Sequence, residues 1–521
     1  MTRSRVGLAA GMTLLALAGC GRQAPPADTL RLAIINDPIM NAPLSPDIGS
    51  VLINKIIFPG LMRPGDSTTT EPDIAASFEV SANEREYTFA LRPRVVWHDG
   101  TAFTSWDVKF TFDQILDPKS GTLQWSDFSI IDSVTTPDSL TVKFWLRSPF
   151  APFLTLLGHN AGIIPAHAFQ GRIADAVEFN RSRPIGTGPF QVAESVAGSY
   201  VVLKANPRYY GSPPRLSRII VKIVPDVNAQ VAQMLAGELD LVTLEPANLS
   251  GLGNDPDLRV DQVSVPQHYY VGFNQGIPRF RSPLVRRALT LAVDRQAIID
   301  GVMKGSADYP QGTIPVALGE YYAADLPRIP YDTTAALALF AEAGWRRGQD
   351  GLLRDASGQA FGFTLLVDKG NPSREQAAVA VQQQLRAIGV SVTINTMEFA
   401  SLVRDYVVPR RHEAYLIWWN TPLDPDQFSY YGTAQSNNDV LYSNRRADSL
   451  LARGRASLDP AVRRAAYHEF QAVEAEDPPV LLLYYPRELQ VRRATLHGLP
   501  ALGIRDALRH TEKFYFAPGG R

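Results

Sequence analysis

A single cysteine in 521 residues, Cys20, is the feature that most constrains how this chain can hold itself together. With no second thiol it folds without any disulfide, so it has to close on buried apolar surface. The material is there: 45% of residues are hydrophobic and 20% are charged, enough apolar content to offset the entropy of ordering. Disorder of the whole chain is excluded. One hydrophobic core stops growing at roughly 250–300 residues, so a chain of this length divides into two or three lobes. The 51 Lys and Arg against 52 Asp and Glu leave a formal charge of −1, and no run of five or more like charges occurs. A dominant nucleic-acid or polyanion partner is thereby excluded, because it needs a basic patch visible in that arithmetic.

The place of the cysteine is equally informative. Met1-Thr2-Arg3-Ser4-Arg5 is basic, residues 6–18 are apolar or small, and Gly19-Cys20 follows. This is the layout of a secretory signal peptide, too short for a spanning helix of about 20 residues. Leu17-Ala18-Gly19-Cys20 resembles the bacterial lipobox, whose Cys is diacylated on sulfur and becomes the new N-terminus. Residues 1–19 are then a lipoprotein signal peptide and 20–27 a lipid anchor with a small, Pro-rich tether. Each buried methylene of an acyl chain adds about 0.8 kcal/mol, so two or three chains tether the protein firmly. No later apolar run reaches 18 residues. The expected location is the periplasmic or extracytoplasmic face of the cell envelope, with a soluble body on a lipid anchor.

Past the tether, residues 29–35 alternate and then run apolar, as a first strand does. Period-two runs recur at 87–91, 140–146, 218–224, 268–273, 361–367, 390–394 and 415–419. Helical patterns lie between them at 228–237, 283–299, 333–343, 374–388, 447–454 and 460–476. Three of these run up to a glycine, Gly237, Gly344 or Gly389, where helices often stop. Asp99-Gly100 is a turn signal, and Thr104 with Asp107 reads as a capping box that opens a helix at Ser105. Strands dominate from about 75 to 150 and alternate with helices in the second half, which predicts mixed α/β lobes. No internal repeat is present.

Catalytic spacing is missing. There is no G-x-S-x-G elbow and no G-x-x-x-x-G-K-[ST] loop, and Gly186-Thr187-Gly188 runs into Pro189, which has no N–H for a phosphate. The eight His are scattered, and none forms H-E-x-x-H. No catalytic residue, metal ligand or cofactor is expected.

Several stretches between about 51 and 500 resemble the extracellular solute-binding proteins of ABC importers, in the large family 5 that serves peptides, nickel and related solutes. Pro72-Asp73-Ile74-Ala75-Ala76-Ser77-Phe78 is similar to the family's P-x-L-A-E-S-W. Trp97-His98-Asp99-Gly100-Thr101-Ala102-Phe103-Thr104 through Val108 is similar to F-H-D-G-T-P-F-T-A-E-D-V. Pro184 to Phe190 matches P-V-G-T-G-P-F, and Asn206-Pro207-Arg208-Tyr209-Tyr210 follows. Residues 283–295 resemble V-R-Q-A … I-D-R, and 331–345 resemble Y-D-P-x-x-A … E-A-G-W.

The resemblance implies a bilobal periplasmic-binding-protein-like fold, with two α/β lobes joined by hinge strands and an inserted subdomain in lobe I. Mapped here, lobe I takes 28–50, 182–268 and 486–521, the inserted subdomain 51–181, and lobe II 269–485. The hinge passes near Tyr269-Tyr270 and Tyr484-Tyr485, and Gly186-Thr187-Gly188-Pro189 reads as a tight crossover between lobes. The implied role is the non-enzymatic substrate-binding component of an importer, a monomer. Closure over a peptide or peptide-like solute would present it to a permease with its ATPases. An opine, blocked peptide, sugar or metal chelate is the alternative solute, and a chemosensory binding protein the alternative role.

The resemblance also implies a site. Residues 415–425 resemble the family's G-W-x-A-D-x-x-D-P, whose first Asp pairs with the free α-amino group of a bound peptide. Aligned on Asp424-Pro425, Trp418 takes the family's Trp position and Thr421 takes that of the Asp. A neutral hydroxyl cannot supply a charge-assisted bond to an ammonium, which leaves Asp424 or Asp426 to replace it. Alternation along a strand sends Trp418 and Trp419 to opposite faces and favours Trp418 for the cleft. The implied ligand set is Trp418, Trp419, Asn420, Thr421, Tyr269, Tyr270, Asn437 and Asn438.

Overall fold

The computed structural model describes residues 28–518 except 66–68, 123, 254 and 422; the signal peptide, Cys20 and the tether lie outside them. Each of the eight period-two runs forms a strand. Most of them join one large mixed sheet. On one side Phe190–Val196, Tyr200–Ala205, Arg218–Ile223, Thr29–Ile34 and Leu241–Leu244 lie in that order. On the other lie Gln267–Phe273, Ala414–Asn420, Gly362–Asp368 and Ser391–Met397, and Leu481–Arg493 joins the two sides. Parallel pairing occurs where a helix returns the chain. Gly362–Asp368 and Ser391–Met397 flank the helix Pro372–Ala387, which Asn371 caps and Gly389 ends at φ 93°.

Alternation along the strands sorts the core onto the two faces. Beneath one face of the second half, Tyr269, Val271, Phe363, Leu365 and Leu416 pack together. Tyr270, Leu366, Tyr415 and Ile417 pack on the opposite face, against helices Arg445–Arg455 and Pro460–Glu476. A separate four-stranded sheet, Ala75–Val80, Glu86–Leu91, Thr141–Leu146 and Ile131–Asp138, covers its own core with the helix Ser105–Leu116. The buried residues of that core run from 61 to 163, with Ile185 and Tyr210 packed against it. Residues 51–58 and 164–181, expected in the inserted subdomain, pack differently: Ile53, Ile56, Ile57, Ile164 and Phe179 face the core under Thr29–Ile34. The helix Ile48–Ile57 turns its apolar stripe onto that sheet.

One predicted helix is broken. The 283–299 pattern splits into Pro283–Leu291 and Arg295–Gly301 because the Asp294 carboxylate accepts from Ala297 N–H at 2.9 Å and starts a new helix.

The most distinctive motifs turn out to bind each other. Gly186 N–H donates to His98 Nδ1 at 3.1 Å, and His98 Nε2 lies 3.1 Å from Gly188 O, so the imidazole bridges the two segments. Burial holds its pKa down to about 4, so it stays neutral. Asp107 closes the capping box on Thr104 N–H at 2.9 Å and takes Ala166 N–H at 2.9 Å. The Gly186-Thr187-Gly188 run is not a crossover between lobes. It lies against the end of the helix Ile48–Ile57, with Gly188 N–H on Ile57 O at 3.0 Å. A Cβ at Gly188 would stand 2.1 Å from Ile56 O, which is why only glycine fits.

Candidate functional site

Backbone passes between the two halves of the large sheet at Val265-Pro266 and within Leu481–Arg493. Tyr484 in that long strand pairs with Tyr269, and Arg487 onward pairs with Leu258–Ser264. Pro486 sits between these pairings, opposite Ala307, and offers no N–H of its own there. Beside these two connections opens a cleft of about 820 Å³, within the size range of small-molecule sites.

Its wall in the second half is aromatic. Tyr269 and Trp418 are cross-strand partners facing the cleft, and Tyr269 stacks on Tyr484 at 4.7 Å. The Trp418 ring is 4.9 Å from Phe399, with the Arg374 guanidinium 4.3 Å over its face. Asn420 is exposed at the rim, and Thr421 is buried there with its N–H on Pro266 O at 2.7 Å. Four of the eight predicted residues thus meet at the cleft.

The other four lie elsewhere. Trp419 points to the opposite face, with Tyr430 at 4.1 Å, and Tyr270 turns the same way toward Tyr415 at 5.9 Å. Asn438 is spent on backbone: its amide donates to Gly432 O and Tyr442 O at 2.9 and 2.7 Å. Asn437 is exposed beside Ser436 and does not line the cleft. The acids considered as replacements for the position of Thr421 are also engaged. Both oxygens of Asp424 lie 2.7 Å from Arg463 Nη2, and Asp426 pairs with Arg455 at 2.8 Å. They pin the loop from behind.

The charged groups on the wall were not foreseen. Glu245, just after the strand Leu241–Leu244, meets the start of the helix Pro372–Ala387, where Ser373 Oγ donates to it at 3.4 Å. Asn371 also bonds its carboxylate, and burial pushes the Glu245 pKa up while Arg374 draws it back. Arg374 is committed to Asp368 at 2.9 Å, and burial pushes that carboxyl up as well. No sequence motif marks Glu245 or Arg374; the tertiary fold alone brings them together. Among the described residues, no group of three or more His, Cys, Asp or Glu could hold a metal ion.

The sequence profile described as "Bacterial extracellular solute-binding proteins, family 5 Middle" matches residues 69–440. The oligopeptide-binding protein AppA of Bacillus subtilis is 30% identical over 495 residues, covering 93% of this chain and 90% of AppA. The structure of AppA in complex with a nonapeptide superposes with a TM-score of 0.80 at 28% identity, covering 94% of this chain and 99% of the other. NikZ from Campylobacter jejuni in complex with Ni(L-His) reaches 0.80 at 26% identity, over 94% and 100% of the two chains. The chain belongs to the bacterial extracellular solute-binding proteins of family 5.

Proposed function

We propose that this protein is the substrate-binding component of an ABC importer, taking a peptide or peptide-like solute into the cleft by hinge closure and handing it to a membrane permease. The observation that carries the reading is the aromatic-walled cleft beside the two backbone connections. Rigid aromatic faces give contact area at low entropy cost, and two thin connections let the lobes swing as bodies. The peptide assignment leans on AppA, whose relationship spans most of both chains. The lobe boundaries are taken as 28–58, 164–268 and 486–521 for lobe I, following the packing of 51–58 and 164–181, with 61–163 inserted and 269–485 as lobe II.

Cys20 is proposed as the lipidated N-terminus that keeps a monomeric body at the extracytoplasmic surface. Among the described residues no helix is long and apolar enough to cross a membrane. The solute is captured and released without chemical change. A thermal-shift screen of the mature chain, made without its lipid, against short peptides, opines, sugars and Ni(L-His) tests the reading. A ligand at 100 times its Kd adds about 2.7 kcal/mol of stability, a shift of a few degrees. Stabilisation by peptides supports the assignment. Stabilisation by a non-peptide alone replaces the solute, and turnover of any of these compounds overturns the binding role.

A further inference from the structure

We infer that the solute carries a positively charged nitrogen, an ammonium or guanidinium, seated against Glu245. The inference rests on the solute-binding reading and deepens it to a chemical class. Two carboxylates, Glu245 and Asp368, share the field of one guanidinium, Arg374. The short contact, 2.9 Å, goes to Asp368. Arg374 is 7% exposed and packed on the Trp418 face, so it is not free to swing between the two acids. The other groups on Glu245 are neutral, the Ser373 hydroxyl at 3.4 Å and the Asn371 amide. This corner of the cleft therefore holds two carboxylates and one guanidinium, whose short contact goes to Asp368 and not to Glu245. A carboxylate partly withdrawn from water is costly unless a charge or hydrogen bonds meet it.

The position of Glu245 says what meets it. Glu245 lies on the cleft wall, on the lobe opposite Trp418, and meets the second lobe at the start of the helix Pro372–Ala387. A cationic nitrogen entering there meets the carboxylate in a cleft whose other wall includes Trp418 and Tyr269. A carboxylate has about four acceptor sites, so two neutral donors leave room for it. Of the positions the sequence pointed to, Thr421 is neutral, and Asp424 and Asp426 are bound by Arg463 and Arg455. A peptide α-amino group and the amine of a non-peptide such as an opine share this chemistry.

Calorimetry with trialanine, N-acetyl-trialanine and octopine on the wild-type chain, Glu245→Gln and Glu245→Asp separates the cases. The expected result is that an amine-bearing probe binding the wild type loses at least tenfold on Glu245→Gln and recovers part of that on Glu245→Asp. N-acetyl-trialanine is expected to bind both wild type and Glu245→Gln more weakly than trialanine binds the wild type, and to the same extent. If trialanine and its acetylated form bind the wild type equally, the inference is overturned while the peptide assignment stands. If only octopine binds, and loses tenfold on Glu245→Gln, the inference holds and the peptide assignment falls. Equal losses of free and blocked peptide on Glu245→Gln mean that Glu245 only holds the lobes together, which overturns the inference. So does a wild-type protein that binds no amine-bearing probe.

Discussion

Asp424 decides between two accounts of the loop that carries Asn420 and Thr421 into the cleft. Its carboxylate is buried, with both oxygens 2.7 Å from Arg463 Nη2, and Arg463 lies between the rings of Tyr321 and Tyr467 at 5.6 Å each. Removing one partner of a buried pair leaves the other charge unmatched and costs about 3–5 kcal/mol. In a folding unit of roughly 200 residues, each kcal/mol moves Tm by about 2–4 °C. Asp424→Ala should therefore lower Tm on the order of 10 °C, read by a thermal melt of the mature chain. Solute affinity, measured by calorimetry well below the new Tm, should change less than the loss from a true ammonium anchor, about 3 kcal/mol. An unchanged Tm with lost affinity would refute the reasoning, because Asp424 would then touch the solute.

Other perturbations follow from the same structure. Trp418→Ala removes a ring packed on Phe399 and Arg374 and should weaken binding of the identified solute by more than about 1 kcal/mol with the fold retained at a lowered Tm; equal affinity in calorimetry would show that the ring does not touch the solute. Gly188→Ala forces a Cβ to 2.1 Å from Ile56 O and should cost about 3 kcal/mol in urea unfolding, and a wild-type midpoint would mean that the backbone there yields freely. Burial raises the Glu474 carboxyl to about 7, with Thr313 N–H at 3.0 Å opposing the rise. The folded state therefore binds the proton more tightly than the unfolded chain, and this contribution is complete below about 4.5 and lost as pH rises to about 7. Glu474→Gln, neutral at every pH, should gain on the order of 3 kcal/mol over wild type at pH 8 and almost nothing at pH 4; the same difference at both pH values would refute the assignment. Cys20→Ser should move the protein from the membrane to the soluble fraction of the cell envelope, and continued membrane association would remove the lipid anchor.

Much of the site's frame was legible because it is written in local patterns. The strand Ala414–Asn420 announces itself by alternation, and the same alternation separates Trp418 from Trp419. The Thr104–Asp107 capping box and the stop at Gly389 act within a few residues of where they are written. The break at Asp294 was missed for a related reason, since apolar spacing continues across it while the cap depends on where one carboxylate turns.

By itself, then, the sequence determined the strands, most of the helices, the absence of disulfides and the family, all of which are carried by neighbours in the chain. Only the tertiary structure decided what the family motifs are for: His98 spends its ring on holding Gly186 and Gly188 and is not among the residues that line the cleft. It alone showed that Asp424 and Asp426 are occupied by arginines, and that Glu245 meets Ser373 across 128 residues of chain. The reason is physical. Caps, turns and periodicity are short-range, whereas the charge state of a cleft depends on which distant groups share one guanidinium after the chain has closed around it.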